Sequence, residues 1–282
     1  MMEVIFLIIL GFIWITFASI QDLKKREVAD WLNFSLIIFA LGFRFFYSLF
    51  FLDFQFNFFY QGLIGFGVFL VIGNLFYYAR VFAGGDAKLM IALGAVLPFS
   101  NNIFMNFKIF IWFLFLFLFV GTFYSLIISL VYCGKNFRKF KKEFLKQFKK
   151  KRKIFYLFMF LGSIVIFFGI FENILFFFGL ILFSLPYFFI YAKTIDEVCM
   201  IKEIETNKLS EGDWLYNNLK IKNKLLKPNW EGLSKKEIRE IKKKYKKVRI
   251  RQGIPFVPVF WFSFIILALV YFLGLIDLFR FF

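Results

Sequence analysis

The chain has 282 residues, 61% hydrophobic and 24% aromatic with 51 Phe, and carries a formal net charge of +18. So apolar a composition excludes an ordinary soluble domain and marks a membrane protein, whose positive charge reads as a cytoplasmic membrane face rather than a nucleic-acid surface. His is absent, which excludes His-dependent catalytic triads and His-ligated zinc proteases; Cys133 and Cys199 form no Cys-x-x-C pair and predict neither a zinc site nor a disulfide framework.

The N-terminal Met-Met-Glu lacks the positive n-region of a secretory signal, so the first apolar run, 4–20, reads as a retained membrane helix. Immediately after it, residues 22–30 read Asp-Leu-Lys-Lys-Arg-Glu-Val-Ala-Asp. Further apolar runs of spanning length lie at 31–52, 59–79, 87–104, 109–132, 154–171, 173–192 and 256–276. The expected fold class is an all-α polytopic membrane protein with about eight transmembrane helices, or six if 154–192 forms a re-entrant hairpin. A small cytoplasmic α+β segment precedes the last helix. The corresponding organisation is a membrane core over 1–134, a basic cytoplasmic linker over 135–153, a membrane hairpin over 154–192, a cytoplasmic segment over 193–255 and a C-terminal transmembrane helix over 256–282. The Phe excess is assigned no function.

Charge orients the spans. Five Lys and Arg fall within 24–26 and 80–88, eleven within 135–153 and seventeen within 193–251, which is 33 of the 36, leaving Arg44, Lys108 and Arg280 elsewhere. The loops after the first, third, fifth and seventh spans are therefore expected on the cytoplasmic side, with both chain ends outside.

Between the third and fourth spans the chain reads Ala83-Gly84-Gly85-Asp86-Ala87-Lys88. A carboxylate at a hydrocarbon edge is disfavoured by about 2.5 to 3.5 kcal/mol and is by default a functional-site candidate. The preceding glycines permit positive φ at Gly84 or Gly85 and a close backbone approach by a substrate. If a helix starts here, Asp86 lies in its first turn, favoured by the dipole. A helix-capping aspartate at a membrane interface fits this stretch equally well. Asp22 shifts the balance, because it marks the end of the first span on the same expected membrane face.

Small residues, Gly62, Gly65 and Gly73 in the third span with Ala92, Gly94 and Ala95 in the fourth, predict close helix packing. Such packing brings the first and fourth spans together. In the polar segment, Ser234 and Glu237 form a capping box, and Ile238, Ile241, Tyr245 and Val248 follow at helical spacing. That helix is expected to pack on the soluble segment or to lie on the anionic leaflet. Trp214 to Tyr216 and the Lys-Ile-Lys around Ile221 read as short strands. Gly253, Pro255 and Pro258 mark a rigid entry to the last span.

Two carboxyl groups sharing a site cannot both ionise easily, so such a pair retains one proton. In that state the ionised member takes a proton from water, while the protonated member stabilises the oxyanion of a peptide under attack. No cofactor or metal is required.

The Ala-Gly-Gly-Asp-Ala-Lys motif, followed by Ala-Leu-Gly-Ala at 92–95, together with Asp22-Leu-Lys-Lys-Arg-Glu-Val-Ala-Asp30-Trp31, resembles the type IV prepilin peptidases. These are Gly-x-Gly-Asp membrane aspartic proteases, and the likeness is nearest the archaeal branch that processes preflagellins. The resemblance covers roughly the first 100 residues, with a weaker likeness at Gly-Ile-Pro-Phe-Val-Pro before the last span. It implies that Asp22 and Asp86 are the catalytic pair of an endopeptidase cutting the leaders of prepilin-like or preflagellin precursors at the cytoplasmic boundary of the cell membrane. Gly85 and Lys88 match family positions. Ala83 stands where the first motif glycine is expected, and Gly84 supplies freedom in its place. The Cys-x-x-C insert of many bacterial members is missing, which argues against a second, N-methylating activity. Lys24, Glu27, Asp30 and Lys88 are interfacial charges, or else supporting residues that steer the polar leader and tune the pair. The expected partners are the precursor substrate and membrane lipids, with no nucleic acid. The alternatives are a proton-coupled transporter relaying protons through Asp22 and Asp86, and an intramembrane protease of the same class cutting inside the bilayer.

Overall fold

A computed structural model describes residues 2–52, 55–221, 224–229 and 231–278. Nine α-helices run through the described residues: α1 (Met2–Lys25), α2 (Asp30–Phe51), α3 (Asn57–Tyr78), α4 (Gly84–Val96), α5 (Ile103–Lys135), α6 (Phe137–Phe168), α7 (Asn173–Cys199), α8 (Lys235–Lys244) and α9 (Val257–Phe272). Five of them, α1, α2, α3, α5 and α7, are long and apolar enough to cross a membrane, and α9 is a shorter apolar helix. A chain with five such helices is a multi-pass membrane protein. Many of the Phe side chains, among them Phe115, Phe119, Phe123 and Phe177, point outward. Lipid, not water, is the solvent that such faces fit. Arg280 lies outside the described residues.

The chain divides into two compact units, Met1–Ser125 with Pro255–Phe282, and Leu126–Ile254. The first holds α1 to α4, most of α5, and α9. Its core runs from Leu7 and Ile15 of α1 through Leu36 of α2, Phe69 of α3 and Met90 and Leu93 of α4 to Phe113 of α5 and Phe260 of α9.

Residues 87–104, expected as one span, do not form one continuous helix. α4 has 13 residues, about 20 Å at 1.5 Å per residue, against a hydrocarbon core of about 30 Å. Residues 97–102 carry the chain on without helix. Backbone leaving its helix at membrane depth is tolerated only where protein satisfies its polar groups. Arg44 does so here, donating Nε to the Ala95 C=O (3.0 Å), Nη1 to Phe58 (3.0 Å) and Nη2 to Val96 (3.2 Å) and Pro98. At the far end Asn57 Nδ2 donates to the Asn101 C=O and Asn106 Nδ2 to Gln61 Oε1, both at 2.9 Å. The expected small-residue contact forms: a Cβ on Gly94 would stand 2.6 Å from the Gly65 carbonyl oxygen, so α3 and α4 touch backbone to backbone.

In the second unit the basic stretch 135–153 is not a loose linker. All but Asn136 of it is helical, and from Phe137 it continues into the apolar run as α6. α6 and α7 form an antiparallel hairpin turning at 169–172, closed by glycines: a Cβ on Gly162 would lie 2.7 Å from the Phe183 backbone nitrogen.

The polar segment forms an antiparallel sheet, β1 (Ile201–Glu205), β5 (Lys247–Arg251) and β2 (Trp214–Leu215) in the order β1-β5-β2, plus a hairpin of β3 (Leu219–Ile221) and β4 (Lys224–Leu226). Lys222 of the expected Lys-Ile-Lys strand lies outside the described residues. The capping box at Ser234 and Glu237 is present, but the helix stops at Lys244, short of the expected Val248. Tyr245 turns extended at φ −115, ψ 138, and Lys-Val-Arg-Ile-Arg then alternates exposed and buried as a strand. Period two prevails because Val248 and Ile250 fill the small core beside Ile238, Ile241 and Leu215.

Candidate active site

Two short connections in the first unit build the site. α1 ends as Arg26 enters the left-handed region (φ 61) and returns its N–H to the Asp22 C=O at 2.9 Å, a terminating geometry usually given to glycine. Gln21 Oε1 accepts the Ala29 N–H at 3.0 Å. This closes the turn and lets Asp30 open α2.

The second connection leaves α3 through Arg80, also left-handed at φ 61. The Val81 and Phe82 N–H groups donate back to the Phe76 C=O at 2.9 and 3.2 Å. Phe82 is buried against Phe76, Phe117 and Phe260. That anchor sets Ala83, extended at φ −71 and ψ 162, as the N-cap, and α4 begins at Gly84.

The two connections meet. A Cβ on Gly85 would sit 3.5 Å from Val28, and Lys88 Nζ donates to Asp30 Oδ1 at 2.6 Å. Asp86, in the first turn of α4, is half-buried, with the Ala83 N–H facing its carboxylate. Asp22 is 7% exposed. Its carboxylate lies near enough to Asp86 for the two charges to repel.

Asp22 also takes the Val257 N–H on Oδ2 at 3.0 Å. Val257 is the first residue of α9, whose leading N–H groups have no partner within the helix. Asp22 therefore caps α9 from a distance. The rigid Pro255–Pro258 entry read from the sequence is what delivers this donor; that it reaches Asp22 was not legible from spacing.

The sequence-singled residues divide as follows. Asp22, Asp86, Gly85, Asp30 and Lys88 come together. Gly84 is exposed beside them, and neither Gly84 nor Gly85 uses the positive φ that glycine permits, because both lie inside the first turn of α4. Their missing side chains leave the α4 N-terminus bare: a Cβ on Gly84 would meet only Tyr77, at 3.9 Å. Lys24 and Glu27 are exposed, and their side chains form no hydrogen bond or ion pair among the described residues. Among the described residues no set of three or more Cys, Asp or Glu is gathered that could hold a metal ion.

Comparison with known proteins bears on this region. The type IV leader peptidase family matches residues 9–133. A preflagellin peptidase of Methanocaldococcus jannaschii is 37% identical over 93 residues, 33% of this chain and 38% of the relative. A preflagellin peptidase of Methanococcus maripaludis is 30% identical over 90 residues, 32% of this chain and 38% of the relative. The aligned region thus spans less than two fifths of either relative. No solved structure matches the chain. Both aspartates, both connections and the Lys88–Asp30 bridge lie inside the segment, residues 9–133, that matches the type IV leader peptidase family.

Proposed function

We propose that this protein is a membrane aspartic endopeptidase that removes the leader peptides of type IV prepilin-like or preflagellin precursors at the cytoplasmic boundary of the cell membrane. Asp22 and Asp86 act as the catalytic pair. The observation that carries the reading is the meeting of the two connections, which brings a buried Asp22 within electrostatic reach of Asp86.

The pair holds one proton. Its ionised member takes a proton from water, whose oxygen attacks the scissile carbonyl carbon. The protonated member donates to the developing oxyanion. Collapse breaks the C–N bond, and a proton passes to the leaving amine. The bare Gly84–Gly85 backbone leaves room for an extended peptide, and Asp30, Lys88, Lys24 and Glu27 present charge to the polar leader. The Lys and Arg distribution supports a cytoplasmic site.

The test uses purified full-length protein and candidate leader peptides. Asn at position 22 keeps an oxygen for the Val257 N–H but cannot exchange protons at neutral pH, so Asp22→Asn preserves the α9 cap. Asp22→Asn and Asp86→Asn are each expected to lower cleavage by about 1,000-fold or more. Cleavage at the full rate by either variant, or none by the unaltered protein, overturns the proposal.

A further inference from the structure

One helical turn from Asp22 along α1 and one from Asp30 along α2, two polar side chains are buried without partners among the described residues. Asn33 of α2 is 1% exposed, and neither its Nδ2 nor its Oδ1 has a hydrogen-bond partner among the described residues. Ser19 of α1 is 8% exposed, and its Oγ is likewise unpartnered.

Their placement follows from helix geometry. Asn33 lies eleven residues before Arg44, three turns at 3.6 residues each, and so shares the α2 face on which Asp30 reaches Lys88 and Arg44 reaches Ala95 and Val96. That face is turned to α4. Ser19 lies three residues before Asp22 and neighbours it along α1. The α1–α2 hairpin is pinned at Gln21–Ala29 (3.0 Å) and Trp14–Ser35 (2.9 Å), and both Ser19 and Asn33 fall between these rungs.

A buried polar group left unpaired costs about 1 to 3 kcal/mol. Apolar side chains of the same size would avoid that cost, so the polar atoms need a partner from outside the chain. Internal water usually fills this role, making about three hydrogen bonds with such groups. A carboxamide offers two donors and an acceptor, and a hydroxyl offers both.

We propose that Asn33 and Ser19 are positioning residues that hold the attacking water beside Asp22. This rests on the hydrolytic reading above. Once the apolar helix of a precursor covers the site, bulk water is excluded, and a water held by the protein is the one available to lose its proton to the ionised aspartate and attack the carbonyl.

The experiment compares the full-length protein with Asn33→Leu, Asn33→Ser and Ser19→Ala in a leader-peptide assay, alongside thermal unfolding. Asn33→Leu is expected to keep or raise the Tm while kcat falls about tenfold or more with KM within about twofold. Asn33→Ser, which retains a hydrogen-bonding group, recovers part of the rate, and Ser19→Ala lowers kcat by about threefold. A lowered Tm with unchanged kcat, or a change in KM alone, overturns the inference. Asn33→Leu cleaving at the unaltered rate overturns it while leaving the peptidase reading intact. An unaltered protein that cleaves nothing overturns both.

Discussion

Arg44 carries its guanidinium into the first unit with no exposure and donates to four backbone carbonyls, with Cζ 4.4 Å from the centre of the Phe58 ring. No carboxylate pairs with it among the described residues. Three of its partners, on Ala95, Val96 and Pro98, are carbonyls where α4 ends early, at the negative end of the helix dipole, and the fourth is the Phe58 carbonyl in the first turn of α3. A planar fork of five donors suits several acceptors at once, which a lysine ammonium does not. Arg44→Met is therefore expected to destabilise the protein by about 3 to 5 kcal/mol, measured by thermal or denaturant unfolding in detergent, with Arg44→Lys recovering only part. An unchanged unfolding midpoint for Arg44→Met would remove Arg44 as the support of the chain that follows α4. Counted by charge alone, Arg44 is an exception to the clustering of Lys and Arg; its acceptors lie 14 to 54 residues away in sequence, and no local pattern announces them.

For the helices, backbone approach decides the packing. Gly65 and Gly94 stand face to face, so a methyl on Gly65 would strike the Gly94 carbonyl oxygen and Pro98. Gly67, two residues on, has nothing within 4 Å of where a Cβ would stand. Gly65→Ala is expected to cost about 1 to 3 kcal/mol by overpacking, and Gly67→Ala to be neutral or to stabilise by up to about 1 kcal/mol through helix propensity. Equal effects in an unfolding assay would refute the contact. The small-residue stripe was legible in the sequence because lipid-embedded helices associate through such residues. The end of α8 was not, since Tyr245 and Val248 continue the helical spacing and only pairing of β5 with β1 draws Val248 into a strand.

Taken as a whole, the molecule keeps 33 of its 36 Lys and Arg in three groups of segments, the pattern that sets orientation during insertion. Cysteine probes test it in a background free of Cys133 and Cys199. Lys149→Cys and Lys243→Cys are expected to react with a membrane-impermeant maleimide only from the cytoplasmic side, and Asn101→Cys only from the other. Labelling of all three from one side would refute the assignment.

The sequence by itself determined the membrane class, the helical character, the two aspartate motifs and the family that they resemble, because composition, apolar run length and motif spacing are local properties that survive without a fold. Only the tertiary structure decided that α4 stops at Val96 with non-helical chain after it, that α9 hands its first N–H to Asp22, and that Asn33 and Ser19 are buried without partners among the described residues. Each of these depends on which polar atoms find one another across helices far apart in sequence, and that pairing is settled by packing rather than by any periodicity along the chain.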